Sequence, residues 1–241
     1  MTAEQSALHP ILQRYIQEPD HFLNNLALAQ SAYHDEIWLA EPRLILEHEG
    51  QKLLAVFSSL QHAENFKTSL PDGQRFGWQQ LTLVAAVELL EREGIEGLLF
   101  NPTTDDAAAF EKEDLVLFLN YHGHIIEKLL QQEELYFVPG IVLTGEDGYP
   151  ERHFETLQNP AGERYIPVFS QLNSLAAWYN QPDFGGDFRQ RGGMIFPWSM
   201  SQFLHPKTGK HIFEGSKGIV LDAFAPENPT GTLRSWEDLN D

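Results

Sequence analysis

Hydrophobic residues occur along this chain in short blocks that alternate between the spacing of helices and the spacing of strands. Gly50 is typical of a hairpin turn, Ser58 lies where a helix cap belongs, and Gly94 is a suitable helix terminator. The first ten residues precede this pattern and are expected to be loose. After them the pattern predicts a helix at 22–32, a strand at 37–39, a hairpin at 44–57, a helix at 58–67, a strand at 81–84, a helix at 85–93 and a strand at 97–100.

The second half of the chain repeats this order of elements. Helical crossovers between strands permit parallel pairs, and hairpins give antiparallel ones. We therefore predict an α+β fold in which each half is a mixed sheet with packed helices. The tail at 228–241 is expected to fray. The second half is predicted to contain a helix at 124–132, a strand at 135–139, a hairpin turn at 160–162, a helix at 170–178, a strand at 194–196, a helix at 198–204 and a strand at 218–221.

A sequence motif also recurs, at residues 50–60 and again at 162–172. The two copies read GQKLLAVFSSL and GERYIPVFSQL, and Gly, Val, Phe, Ser and Leu recur at matched positions. Repetition of this kind predicts two tandem repeats. The last strand of the second copy comes later than this spacing predicts, which places an insertion near 204–211. The pairs expected at equivalent core positions are Val56 and Val168, Phe57 and Phe169, and Leu60 and Leu172.

The repeats predict three segments along the chain. Residues 1–106 form the first domain with its N-terminal helix, and residues 122–241 form the second domain with an acidic tail. Residues 107–121 link the two. The linker is expected to pack rather than to be flexible, because it contains the apolar run at 115–119.

Three short motifs resemble the N-terminal domain of the SseB family, named for enhanced serine sensitivity. They read LYFVP at 135–139, YIPVFSQL at 165–172 and LLFNP at 98–102. The first half departs from the family pattern at 53–55, where Tyr-Ile-Pro is expected, and the second half departs at 221–223, where Asn-Pro is expected. The resemblance implies two SseB-like α+β domains in a cytoplasmic bacterial protein with a regulatory or binding role. It implies no catalytic residue and no cofactor.

Charge and composition limit the partners that suit this protein. The 241 residues contain 35 Asp and Glu against 16 Lys and Arg, which gives a formal net charge of -19. Such a surface repels nucleic acids and anionic membranes, whereas opposite charge favours a basic protein partner. There is no cysteine, so disulfides, thiolate metal sites and cysteine nucleophiles are excluded. No apolar run approaches the roughly 20 residues of a membrane span, and a cytoplasmic location is expected.

His122 and His124 are the nearest approach to a metal-binding pair in the sequence. Glu127 is the one nearby candidate for a third ligand, and a zinc site needs three or four converging ligands. The two histidines lie at the predicted start of a helix, where their side chains diverge. We therefore predict no metal and no cofactor.

Loops with a Pro-Asp pair precede a strand in each half and are candidate binding sites. Their glycines allow a ligand to approach the backbone, and arginines beside them could hold an anion. The alternative is an ordinary turn between a helix and a strand. Nearby aromatic residues would form a protein-docking patch if exposed and belong to the core if buried. The candidate binding residues are Asp72, Arg75, Asp183, Phe188, Arg189, Arg191 and Trp198.

Three functions are compatible with these patterns. The first is a non-enzymatic binding or regulatory protein of the SseB-like type that acts through protein–protein contacts. The second is an immunity or antitoxin-like inhibitor of a basic toxin, which would use the acidic helix at 85–96. The third is a hydrolase of unknown substrate, although the Gly-x-Ser-x-Gly motif is missing and no catalytic residue is assigned.

Overall fold

A computed structural model of the protein describes residues 7–145, 148–204, 213 and 215–239. The chain divides into two units, Met1–Glu127 and Lys128–Asp241. The described residues form an α+β fold with seven α-helices and three β-sheets, as the coarse pattern predicts. None of the helices in this described part combines the length and the apolar character needed to cross a bilayer.

Helices in unit 1 form where apolar residues recur every three to four positions. Thr82 caps α4 by accepting from the Ala85 backbone N–H, and Gly94 ends that helix with a φ of 67°. This left-handed conformation suits glycine. The predicted linker at 107–121 forms a strand and the first half of α5. The helices are α1 Leu8–Gln17, α2 Phe22–His34, α3 Leu60–Ser69, α4 Leu83–Glu93 and α5 Lys112–Leu130.

The sheet of unit 1 has six strands in the order β4-β1-β3-β5-β6, and β2 also pairs with β3. The β3–β5 pair is parallel, and α3, β4 and α4 lie between these two strands in the sequence, a connection long enough to allow parallel pairing. The other pairs are antiparallel. The strands are β1 Glu36–Glu41, β2 Ile45–His48, β3 Gln51–Phe57, β4 Gly77–Thr82, β5 Gly97–Phe100 and β6 Ala108–Glu111.

Hydrophobic side chains pack on both faces of this sheet. Val56 belongs to the large cluster that includes Leu12 of α1 and Leu115 of α5. The next residue, Phe57, belongs to a smaller cluster with Phe66 of α3. Successive residues of a strand point to opposite faces, so β3 joins the two clusters.

Unit 2 contains a three-stranded sheet, β11-β7-β8, and a four-stranded sheet, β13-β12-β10-β9. Its β10–β12 pair is parallel. Phe137 and Phe169 exchange backbone hydrogen bonds of 2.8 and 3.0 Å, which connect β7 to the end of β10. The elements are β7 Tyr136–Thr144, β8 Pro150–Phe154, β9 Leu157–Gln158, β10 Arg164–Val168, α6 Leu172–Tyr179, α7 Asp187–Gln190, β11 Met194–Trp198, β12 Gly218–Leu221 and β13 Thr232–Ser235.

Several predicted boundaries are wrong for local reasons. The first ten residues are not all loose, since α1 begins at Leu8, which is buried in the core. The strand predicted at 81–84 ends at Thr82, because Thr82 is the cap of α4. The helix predicted at 198–204 is a single 3₁₀ turn, Met200–Gln202. Most of the predicted insertion at 204–211 lies outside the described residues.

The tail does not fray along its whole length. Strand β13 pairs with β12 over four residues, and the side chain of Trp236 is buried. The indole of Trp236 donates to the Ser216 carbonyl at 3.1 Å and stacks on Phe213 at 5.3 Å between ring centroids. An apolar side chain that the sequence places in an acidic tail is thus part of the core of unit 2.

The structure confirms part of the burial predicted for the recurring motif and contradicts another part. Val56, Phe57, Val168 and Phe169 are fully buried, as predicted. Leu60 is 38% exposed, so the core position predicted for it is wrong. It is the first residue of α3, as the half-buried Leu172 is of α6.

Candidate functional site

A polar cluster lies at the carboxyl ends of the parallel strands β3 and β5. Val56 is paired with Phe100 at the end of the ladder, and the Asn101 backbone N–H donates to the Val56 carbonyl at 2.9 Å. Asn101 has a φ of 43°, a left-handed conformation that asparagine tolerates better than most residues. The chain therefore turns sharply at this point and directs polar side chains to the sheet edge.

The Asn101 side chain fixes Ser58, which follows the neighbouring strand. Its Oδ1 accepts from the Ser58 backbone N–H at 2.9 Å, and its Nδ2 donates to Ser58 Oγ at 2.9 Å. Ser58 is therefore not the predicted helix cap. Ser59 caps α3 instead, with its hydroxyl accepting from the His62 backbone N–H at 3.3 Å.

Asp106 is held against this pair by hydrogen bonds to both of its carboxylate oxygens. Thr104 Oγ1 donates to Oδ1 at 2.5 Å, and Asn101 Nδ2 donates to Oδ2 at 3.1 Å. Burial by itself raises the pKa of Asp106, but the Thr104 hydroxyl and the nearby His62 and His9 rings lower it below its ordinary value. The group is thus ionised near pH 7 and its orientation is fixed.

Two histidines from different helices approach Asp106 Oδ2. His9 of α1 places Nδ1 at 3.6 Å from this oxygen, and His62 of α3 places Nε2 at 3.7 Å. The two rings lie 4.7 Å apart between centroids. The pKa of His9 is lowered, chiefly by burial and further by His62, against the opposing effect of Asp106.

Each histidine also contacts a serine hydroxyl. His62 Nδ1 lies 2.6 Å from Ser59 Oγ, and His9 Nδ1 lies 2.8 Å from Ser58 Oγ. Ser58, His9 and Asp106 do not form a hydrolase triad. In a triad the serine and the carboxylate contact different ring nitrogens, whereas both approach Nδ1 of His9 here. Ser58 is also fully buried, so its hydroxyl cannot reach a substrate.

One nitrogen from each histidine and one oxygen of Asp106 lie within 4.8 Å of one another. Imidazole nitrogen and carboxylate oxygen are ligands of divalent transition metals. His62 and Asp106 also line a cleft of about 330 Å³, whose walls are completed by Gln13, Ile16, Gln17 and Asp105. The cluster is thus half-buried and reached from a cleft large enough for a small ligand.

Sequence reasoning did not find this cluster. His9 lies in the segment that was expected to be loose, and the three side chains are far apart in the sequence. The sequence did contain one signal that could have located the cluster, which is the parallel pairing of two strands. This pairing brings the carboxyl ends of the strands to the same end of the sheet. The residues that follow them, Ser58 and Asn101, mark that end.

The predicted binding loop of unit 1 is exposed but does not converge on a site. Asp72 precedes the 3₁₀ turn Gly73–Arg75, and its side chain makes no capping hydrogen bond. Arg75 places its guanidinium 4.8 Å from the centre of the Phe76 ring. In unit 2, Asp183 is an exposed residue of the π-helical turn Pro182–Gly186.

The two arginines of the second loop have protein partners. Arg191 donates to Glu155 at 2.9 Å and to Asp187 at 3.0 Å. Arg189 lies over the Tyr179 ring, with its guanidinium carbon 5.2 Å from the ring centre. Since two carboxylates already compensate Arg191, an incoming anion would have to displace them.

Phe188 and Trp198 belong to the core, which was the alternative to a docking patch. Phe188 is fully buried and contacts Trp178 at 5.1 Å between ring centroids. Trp198 is buried beside Phe203 at 5.8 Å between centroids. Neither is available to anchor a protein partner.

His122 and His124 lie within α5 and do not converge. Residues two apart on an α-helix point in nearly opposite directions. His122 is buried, with Nδ1 3.0 Å from the Phe118 carbonyl oxygen, whereas His124 is exposed. Glu127 is exposed further along the helix.

The hairpin of β7 and β8 in unit 2 exposes apolar side chains. Its base is buried from Phe137 to Gly140, but the following residues of β7 are progressively exposed. Leu143 is 50% exposed and Tyr149, beside the start of β8, is 71% exposed. Among the described residues, β8 pairs only with β7 and is an outer strand of its sheet.

Comparisons with known proteins assign no family. No family model matches the chain, and no curated protein sequence does. Among solved structures, the chain is similar to Anabaena Tic22, described as a protein of protein transport, with 13% identity over 73% of this chain and 81% of the other, at a TM-score of 0.22. It is also similar to Tic22 from Plasmodium falciparum, with 13% identity over 78% of this chain and 91% of the other, at a TM-score of 0.24. At these TM-scores the likeness supports no conclusion about fold or function.

Proposed function

We propose that this chain is a binding or regulatory protein that acts through protein–protein contacts made by the β7–β8 hairpin of unit 2. The observation that carries this proposal is the exposure of apolar side chains on one face of the hairpin, with Leu143 50% exposed and Tyr149 71% exposed. Contiguous apolar residues on a surface are typical of an interaction site. Covering them contributes about 25 cal/mol per Å² of apolar area removed from water.

One face of the hairpin presents the larger apolar strip. Ile141 and Leu143 share this face, because side chains two apart on a strand point the same way. Leu143 is paired with Glu151, and the Gly145 backbone N–H donates to the Tyr149 carbonyl at 2.8 Å, which places Tyr149 at the tip of the same strip. A partner would therefore meet apolar groups beside a carboxylate.

The chemistry of this strip favours a basic partner segment in an extended conformation. The chain has a formal net charge of -19, which attracts positive charge at long range. Glu151 lies next to the strip with an exposed side chain, whose carboxylate is 3.4 Å from Nε2 of His153. The outer strand β8 could accept a further strand by backbone hydrogen bonding. We infer a partner that offers apolar residues flanked by Lys or Arg.

The proposal also includes the construction of the protein from two related SseB-like repeats with a cytoplasmic location. The construction from two repeats is supported by a similar turn that follows the parallel strand pair of each unit. Asn101 and Asp222 have φ values of 43° and 52°. The side chain of each accepts from the backbone N–H of a serine, Ser58 at 2.9 Å and Ser170 at 2.8 Å. A duplication accounts for two such matched turns.

A photo-crosslinking amino acid at position 143 of the full chain tests the binding function. We expect it to capture one basic protein, whose identity is then established by mass spectrometry. The purified partner should bind the Leu143→Ser variant at least about tenfold more weakly, as for a typical interface anchor. Leu117, an exposed leucine of α5, provides the matched control Leu117→Ser. Equal capture from positions 143 and 117, or equal affinity of both variants, would contradict the proposal.

An inhibitor of a basic toxin is the second candidate function. It is favoured by the acidic face of α4, where Glu88, Glu91 and Glu93 are exposed. If this face binds the partner, the double variant Glu88→Lys and Glu91→Lys should abolish binding while Leu143→Ser leaves it intact. The opposite pattern selects the hairpin. A neighbouring gene for a basic nuclease would identify the toxin to be tested.

A further inference from the structure

We propose that unit 1 binds one divalent transition-metal ion through His9, His62 and Asp106. The three side chains come from α1, α3 and the loop after β5, so the ion would connect three segments that are distant in the sequence. This inference does not depend on the proposed protein-binding function, which concerns unit 2.

The carboxylate oxygen of Asp106 lies close to the tetrahedral ligand separation from each of the two histidine nitrogens. Metal–nitrogen and metal–oxygen bonds of about 2.0–2.1 Å place tetrahedral ligands about 3.3 Å apart. Asp106 Oδ2 lies 3.6 Å from His9 Nδ1 and 3.7 Å from His62 Nε2. All three ligand atoms lie within 4.8 Å of one another, so binding would draw the two rings closer together around the ion.

Hydrogen bonds already orient two of the three ligands. Ser59 Oγ contacts Nδ1 of His62 at 2.6 Å, which leaves Nε2 directed at Asp106. Thr104 and Asn101 hold the two oxygens of Asp106 at 2.5 and 3.1 Å. Partners of this kind fix the ring and carboxylate orientations in known metal sites.

The third ligand, Nδ1 of His9, can exchange its present hydrogen-bond partner for the ion. Metal binding at His9 Nδ1 displaces the hydroxyl of Ser58, which is 2.8 Å away. That hydroxyl keeps its other partner, since Ser58 Oγ lies 3.2 Å from Asn101 Oδ1 and 2.9 Å from Asn101 Nδ2. No buried polar atom is therefore left unpaired by the exchange.

The ligand set selects the class of ion. Two imidazoles and one carboxylate suit Zn²⁺, Co²⁺ or Fe²⁺, whereas Mg²⁺ and Ca²⁺ prefer oxygen ligands alone. Three protein ligands leave a fourth position. His62 and Asp106 line the cleft, so this position would be filled by water or by an oxygen of a small anionic molecule that enters it.

Calorimetric titration of the metal-free full chain with Zn²⁺ tests the site, and Co²⁺ absorption reports its coordination. We expect one ion per chain and a tetrahedral Co²⁺ spectrum. The variants His62→Gln and Asp106→Asn should each weaken binding by roughly a hundredfold or more, since loss of an outer partner alone costs about 10–100-fold. His124→Gln, at an exposed histidine of α5, is the matched control and should bind as the wild type does.

Histidine-ring NMR of the unmodified protein provides a test that does not depend on folding of the variants. Zn²⁺ should shift the ring resonances of His9 and His62 and leave those of His122 in place. The proposal is overturned if Zn²⁺ shifts only other histidines, if less than one ion binds per chain, or if well-folded His62→Gln retains the wild-type affinity. Loss of Zn²⁺ binding would leave capture at position 143 unaffected, so the two proposals fail separately.

Discussion

The side-chain amide of Asn101 hydrogen-bonds to both the backbone N–H and the hydroxyl of Ser58. Both residues are 0% exposed, and they follow two different strands of the sheet. The Asn101→Ala variant leaves the Ser58 N–H unpaired and places alanine at a φ of 43°. We expect the free energy of unfolding of unit 1 to fall by about 2–4 kcal/mol, measured by urea denaturation. Asp222→Asn in unit 2 is the control, because it keeps an acceptor for Ser170, and should cost less than about 1 kcal/mol. A loss below about 1 kcal/mol in Asn101→Ala would show that the amide pairing contributes little to stability.

Phe57 and Phe169 are expected to be major contributors to the cores of their units. Both are fully buried, and Phe57 packs against Phe66 and Trp78 at 5.3 Å between ring centroids in each case. Truncation to alanine should therefore lower the free energy of unfolding by about 3–5 kcal/mol. Leu60→Ala, at the exposed start of α3, should cost less than about 1 kcal/mol. A similar loss at position 60 would contradict the packing described for α3.

His122 should make unit 1 sensitive to mild acid. Burial lowers its pKa, against the raising effect of the Phe118 carbonyl, and the rings of Phe22, Phe118 and Tyr121 surround it. The unfolded chain then binds more protons than the native state, so stability decreases as the pH falls below about 6.5, the ordinary value for histidine.

The variant His122→Gln tests this pH dependence. We expect the difference in unfolding free energy between pH 7.5 and pH 5 to be smaller in this variant than in the wild type. His124→Gln controls for the loss of a histidine from the same helix. The prediction is wrong if the two substitutions change the pH dependence equally.

Tyr136 should ionise late in an alkaline titration. Burial first, and then the hydrogen bond and charge of Glu134 at 2.9 Å, raise its pKa to about 12. Because the native state retains this proton while the unfolded chain loses it, stability should decrease as the pH rises from about 10 to 12. Ultraviolet titration of the phenolates should show a group that ionises near pH 12, which is absent in Tyr136→Phe and shifted downward in Glu134→Gln. An unchanged titration near pH 12 in Tyr136→Phe would contradict this assignment.

The elements that the sequence predicts well are those with local signals. The β2–β3 hairpin forms around Glu49 and Gly50, which have φ values of 50° and 83°, because an apolar strand pattern and a turn glycine lie next to each other. Helix α4 likewise ends at Gly94. Short-range periodicity and backbone preference are sufficient in both cases.

The candidate site could not be predicted because its contacts are long-range. Ser58 is read from the sequence as a helix cap, but burial beside Asn101 gives its hydroxyl a different partner. His9 is placed near Asp106 only when α1 packs on the finished sheet. Burial similarly decides that Phe188 is a core residue, which a count of aromatic side chains cannot establish.

The parallel pairing of β3 with β5 also predicts an order of folding events. Its register joins Leu53 to Gly97, so a long segment must be closed into a loop before the first rung of this ladder can form. Closing a long loop is entropically costly and slows folding. The β2–β3 hairpin, in contrast, needs only a short turn to bring its two strands together. We therefore expect the cluster of His62 and Asp106, which forms at the carboxyl ends of these strands, to be assembled late. An ion bound there would act as a probe that reports completed folding of unit 1 rather than partial collapse.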